Sequence, residues 1–114
     1  MRDYINIIVI DDESLIRKSI AFEFMHNKQT ITVLAKDETT FTKEIRLLAT
    51  FGTKRELFDF LDNPENEKPD YALVDMQFPS PAEPTGGITL TKEIFDGGYT
   101  NMDGDDIKIV IITY

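Results

Sequence analysis

The chain has 114 residues, 41% of them apolar and 29% charged, with no cysteine and a net charge of −9. That length suits one domain over residues 1–114 with its own core, and the lack of thiols excludes disulfides, zinc–thiolate sites and thiol redox chemistry. The acid excess and a pI near 4.4 argue against nucleic-acid or anionic-lipid binding by this segment, no apolar run is long enough to span a bilayer, and Met1-Arg2-Asp3-Tyr4 lacks a signal-peptide pattern. A soluble cytoplasmic domain is the expectation.

Residues 5–10 are nearly continuously apolar and β-branched, which predicts a strand covered on both faces. Asp11-Asp12-Glu13 stops it. Residues 14–25 follow with Ile16, Ile20 and Phe24 at helical spacing and Arg17, Lys18 and Glu23 elsewhere, and Asn27 marks the stop. Thr30-Ile31-Thr32-Val33-Leu34 has strand character before a polar turn over residues 36–40. It reads equally as a hairpin partner or as an extension of the next strand. Residues 44–50 fit neither period well, because Ile45, Leu47, Leu48 and Ala49 alternate poorly. A strand is favoured there, since Phe51-Gly52-Thr53 breaks the chain and a helix with Leu57, Phe58, Phe60 and Leu61 follows, ended by Asp62-Asn63-Pro64.

After a polar loop, Tyr71-Ala72-Leu73-Val74-Asp75 predicts another buried strand that ends in an acid. The next segment, residues 78–87, holds three prolines and two glycines and is expected to be irregular. A helix is predicted over residues 88–95, a Gly/Asn/Asp-rich loop over 96–106, and a last apolar strand over 107–112. Alternation of strands and helices predicts a mostly parallel sheet with right-handed crossovers and helices on both faces.

Two strands that end in acids bring Asp11, Asp12 and Asp75 toward one carboxyl edge, where open α/β sheets hold their ligands. Clustered carboxylates either take up protons or bind a cation, and hard oxygen donors suit Mg²⁺. A carboxylate beside such an ion can attack phosphorus to form an aspartyl phosphate. Thr113, at the end of the last strand, has a hydroxyl to offer a phosphoryl oxygen. The plainer role for these acids is capping of loops after strands, and for Thr113 that of a β-branched strand residue. His26 is expected at the surface near a helix end. The acids of residues 96–106 do not fall at EF-hand positions, and Gly86-Gly87 makes no dinucleotide fingerprint.

The ordered pieces Ile7-Ile8-Val9-Ile10-Asp11-Asp12-Glu13, Ala49-Thr50-Phe51-Gly52, Ala72-Leu73-Val74-Asp75-Met76, Pro79, Gly87-Ile88-Thr89-Leu90 and Ile109-Val110-Ile111-Ile112-Thr113 resemble the receiver domain of two-component response regulators. The resemblance implies a flavodoxin-like doubly wound parallel sheet of strand order 2-1-3-4. It implies Asp75 as phosphoacceptor and Mg²⁺ ligand, Asp12 as a direct Mg²⁺ ligand, Asp11 as a ligand through water, the backbone carbonyl of Gln77 as a further ligand, and Thr113 as the hydroxyl that senses the phosphoryl group. It implies a sensor histidine kinase or phosphotransfer protein as donor and an output domain beyond residue 114. Such a domain is not a turnover enzyme: it catalyses at most its own phosphorylation and dephosphorylation.

The segments after the first helix, between Asp75 and Gly87, and before the last strand are longer than the family pattern. The family also carries a fifth strand ending in a lysine, and two further helices, for which the sequence to Tyr114 offers no counterpart. The expectation is a fragment of a longer protein, or a homo-oligomer that covers the edge at residues 107–112. A diverged receiver that serves as a phosphorylation-independent interaction or dimerisation module is the alternative function. A small hydrolase is disfavoured, because the position two residues past the nucleophile is Gln77 and not an acid.

Overall fold

Residues 7–10, apolar without interruption, sit at the centre of the molecule, each of them at most 8% exposed. The computed structural model describes residues 2–113. Its elements run β1 (Tyr4–Ile10), α1 (Ser14–His26), β2 (Gln29–Leu34), β3 (Thr40–Phe51), α2 (Lys54–Asp62), β4 (Tyr71–Asp75), α3 (Gly86–Asp96) and β5 (Lys108–Ile112). The α/β class is as expected. The sheet has five strands in the order β2-β3-β1-β4-β5, with β2 antiparallel to β3 and the other pairings parallel.

This order corrects the expected 2-1-3-4. The difference arises because residues 29–34 form a strand of their own, folded back on β3 and added at the sheet edge. Ala35 donates to Thr39 O (2.9 Å) and Glu38 to Ala35 O (3.0 Å), with Glu38 at a φ of 67°. That is a hairpin closed by a left-handed residue, and the Thr/Ile/Val/Phe-rich flanks supply the β-prone arms.

The poor alternation of residues 45–49 also has a cause. Ile7 pairs with Leu47, but Ile8 pairs with Ala49, so Leu48 is an extra residue bulged out of the β1–β3 ladder. A bulge resets which residues face which side. Leu48 and Ala49 both pack against the core as a result.

The chain moves from β1 to β3 in one direction across the sheet and from β3 to β4 and β5 in the other. Right-handed crossovers therefore place α1 on one face and α2 and α3 on the opposite one. Leu57 of α2 and Leu90 and Ile94 of α3 pack with Ile8, Ile10, Ala72, Val74 and Phe78 into the main core. Thr53 caps α2: its hydroxyl oxygen accepts the Glu56 N–H (3.2 Å) and its hydroxyl donates to the Glu56 carboxylate (3.0 Å). Lys54 and Glu93 tie α2 to α3 (2.8 Å). Helix α1 presents Ile16, Ile20 and Phe24 as its half-buried side, as its spacing predicts, whereas Leu15, Phe22 and Met25 are exposed.

At the amino edge of the sheet, Asp70 is 9% exposed by side chain and accepts from Arg2 Nη1 (3.0 Å) and from the backbone N–H of Asn6 (2.8 Å). Burial pushes its carboxyl up, but Arg2 and the Asn6 N–H more than offset this and hold it below the ordinary 3.8. A depressed carboxyl contributes stability above its unfolded value and loses it as pH falls through the folded one. Asp70→Ala is expected to cost roughly 1–3 kcal/mol at pH 7. In urea denaturation, its gap to the wild type should close as pH drops below 3.8.

Candidate functional site

Parallel pairing of β1 with β4, Ile10 against Val74, sets the ends of these strands side by side. They flank the point where the chain reverses its direction across the sheet, and there the loops part to leave a crevice. Asp11 and Asp12 leave β1 into it, and Asp75 closes β4 beside them. One carboxylate oxygen from each of the three lies within 4.8 Å of the others, and this is the only such group of potential metal ligands among the described residues. Asp11 is 1% exposed and Asp75 9%.

Each acid is held by its own loop. Asp11 donates its N–H to Phe51 O (3.0 Å) at the end of β3, and its Oδ1 accepts from Glu13 N–H (2.9 Å). Asp75 Oδ1 accepts from Gln77 N–H (3.1 Å), and the next residue, Met76, donates to Ile112 O (2.9 Å) on β5. Gly87 N–H binds Met76 O (2.8 Å), which brings the start of α3 hard against the Asp75 loop. A Cβ at Gly87 would sit 2.4 Å from Asp75 O, so only glycine permits this approach.

A cavity of about 270 Å³ opens beside the acids, lined by Asp12, Asp75, Gln77 and Thr113 with Glu13, Ile16, Met76 and Pro81. The expected site residues Asp12, Asp75, Gln77 and Thr113 thus share one space, and Asp11 joins them through the carboxylate cluster. A larger open groove of about 910 Å³ lies between the end of α1 and β3. It holds no converging set of carboxylates, so its size does not make it the site.

Arg17 is a member of this region that pattern reading does not reveal. Its Nη1 donates to Asp11 O (2.7 Å), bracing the loop that carries both Asp11 and Asp12. The guanidinium lies against Gly52, where a Cβ would stand 2.6 Å from Nη1. The signal in the sequence is a glycine directly after a strand and an arginine one turn into a helix. Their meeting depends on the β1–β3 register, which the sequence alone leaves open.

The three carboxylates suit a divalent cation. Two oxygens on one Mg²⁺ are at most about 4.2 Å apart, twice the usual bond length. Oxygens that all lie within 4.8 Å of one another can be gathered by one such ion, directly or with a water between. The electrostatics agree. Burial first, and then the charges of Asp11 and Asp12 with a hydrogen bond to Asp12, push the Asp75 carboxyl above its ordinary 3.8, against the pull of the Gln77 N–H. A cation between the acids would relieve that repulsion.

No protein-family model matches the chain, and no match is found among curated proteins. No helix among the described residues is long and apolar enough to cross a membrane.

A carboxyl raised in the folded state binds more protons there than in the unfolded chain, so stability falls as pH rises through the interval between the two values. Asp75→Asn removes the charge and keeps the shape. In metal-free buffer it is expected to raise Tm at pH 7 by a few degrees, with the gain vanishing below the ordinary carboxylate value of 3.8. Arg17→Ala is expected to cost roughly 1.5–3 kcal/mol, the worth of a charged-donor hydrogen bond. Chemical denaturation measures that loss, and isothermal titration should show Mg²⁺ binding weakened in the same variant.

Proposed function

We propose that this chain is a phosphoacceptor signalling domain of the two-component receiver type, in which Asp75 takes a phosphoryl group from a sensor histidine kinase or phosphotransfer protein. The observation that carries the reading is the meeting of Asp11, Asp12 and Asp75 in one carboxylate cluster beside a cavity that also has Gln77 and Thr113 in its wall. A carboxylate oxygen of Asp75 attacks phosphorus. The new bond is an acyl phosphate, and the bond from phosphorus to the donor's imidazole nitrogen breaks, leaving its electron pair on that nitrogen. Asp12 and Asp75 would hold Mg²⁺ directly, Asp11 would hold it through water, and the Gln77 carbonyl would complete the protein ligands. Such an ion supplies charge neutralisation for the phosphoryl oxygens.

The residues of the chain do the positioning. The Gln77 N–H fixes one Asp75 oxygen and so orients the carboxylate. Arg17 and the Phe51 carbonyl fix the loop of Asp11 and Asp12. Thr113, beside β4 through the β4–β5 pairing, brings a hydroxyl to the same cavity and serves as the sensor of the phosphoryl group. The domain turns over no external substrate, and its output lies in what binds the phosphorylated surface.

One observation favours a second reading, a receiver-like interaction module that works without phosphorylation. Among the described residues, no lysine or arginine lines the cavity to neutralise a bound phosphoryl group.

Intact-mass measurement after incubation with Mg²⁺ and acetyl phosphate separates the two. The phosphoacceptor reading expects one added phosphoryl group in the wild type, none in Asp75→Ala, and at least about tenfold weaker Mg²⁺ binding in that variant. An unmodified wild type with little Mg²⁺ affinity supports the interaction module instead.

A further inference from the structure

The outer strand β2 carries the segment Gln29-Thr30-Ile31-Thr32-Val33-Leu34, six residues with no charge, no proline and no glycine. Natural edge strands are usually blunted by a lysine, a proline, a bulge or a covering loop, because a bare edge is a template for another strand. Within its six residues β2 has none of the sequence devices, its pairing with β3 is unbroken by a bulge, and Ile31 and Leu34 are exposed at 42% and 69%.

The backbone groups on this edge can be assigned. Ala35 N–H bonds to Thr39 O, so Ala35 bonds inward. Alternation along an antiparallel pair then turns Val33, Ile31 and Gln29 toward β3, and sends the N–H and C=O of Leu34, Thr32 and Thr30 outward. Glu44, opposite Thr30, agrees with this, since its own N–H goes to Asp3 O (2.9 Å) on the far side of β3. Three residues therefore offer a ladder of donors and acceptors that only an extended chain satisfies in full.

Charge indicates which chain. The protein carries −9 overall, yet over residues 27–46 Lys28, Lys36, Lys43 and Arg46 outnumber Asp37, Glu38 and Glu44. Two copies of an acidic chain can meet here without the repulsion that the net charge would otherwise impose. The strand is also asymmetric, with Lys28 before it and Lys36-Asp37-Glu38 after it. Antiparallel alignment of two copies brings the cationic start of each to the net-anionic turn of the other, twice by symmetry. Parallel alignment would set like against like.

We propose that β2 is a dimerisation edge, at which two copies of this chain pair antiparallel, β2 to β2, about a two-fold axis and join their sheets into one. This edge lies at the opposite side of the sheet from β5. It is independent of the acidic cavity and of any phosphoryl transfer.

Sedimentation velocity of the full chain over a concentration series into the hundreds-of-micromolar range tests it. The wild type is expected to pass from monomer to a discrete dimer. Thr32→Pro deletes an outward N–H and leaves the β2–β3 ladder intact, and is expected to weaken the dimer about tenfold or more by loss of two symmetry-related hydrogen bonds. Circular dichroism and thermal melting establish that this variant is folded. Lys28→Glu changes an exposed side chain, whose partner within the chain is Glu44 at 3.6 Å, and is expected to weaken the dimer severalfold, with recovery when Asp37→Lys and Glu38→Lys are added. A wild type that stays monomeric, including one that adds only a foreign extended peptide, overturns the proposal. So does a dimer that survives both Thr32→Pro and Lys28→Glu, or one lost instead through Val110→Lys on β5.

Discussion

The parallel pairing of β1 with β4 is the constraint on which the rest depends. It is a hydrogen-bonded register between two apolar runs, with Ile7 to Ile10 matched to Tyr71 to Val74. Its hydrophobic side is ordinary core formation, since Ile8, Ile10, Ala72 and Val74 are all at most 1% exposed. Its electrostatic side is costly. The same register that buries the aliphatic residues also buries Asp75 and forces the acids together, and burial first, then the neighbouring charges, push its carboxyl above the ordinary value. The core thus works against the repulsion of the carboxylates, which a cation or a proton would relieve.

The surrounding residues hold that repulsion in place. Asp11 is tied through its N–H, its carbonyl and its carboxylate to Phe51, Arg17 and Glu13. The Asp75 loop is pinned between Ile112 on β5 and Gly87 on α3. Contacts of this kind fix direction more than they add stability. They keep three like charges from relaxing apart, in an arrangement that could hold a metal ion.

Much of this was legible in the sequence, and the reason is local. Strand ends marked by acids, a helix with Ile16, Ile20 and Phe24 on one side, and a Pro/Gly-rich break before α3 are signals written within a few residues, and the structure places them as expected. The cluster of Asp11, Asp12 and Asp75 followed from two such ends and one assumption, that the strands are parallel neighbours. What was not legible is non-local. Whether residues 29–34 pair with residues 40–45 or prolong another strand depends on the Glu38 turn, at a residue that seldom takes a positive φ. The contact of Arg17 with Gly52 and Asp11 depends on register. The observed strand order departs from the expected one for the same cause, an edge addition that local pattern does not specify.

The bulge at Leu48 divides β3 into two halves with different obligations. Before it, the residues follow the alternation of the hairpin; after it, Ala49 to Phe51 follow that of the buried sheet. The extra residue acts as a phase break, so the parity of the inner half is not inherited from the outer. The pairing of β2 with β3 lies wholly upstream of Leu48, whereas Phe51, whose carbonyl holds Asp11, lies beyond it. The hairpin is in this sense a module, free to diverge as a surface while the acidic crevice at the other end of the same strand stays in place.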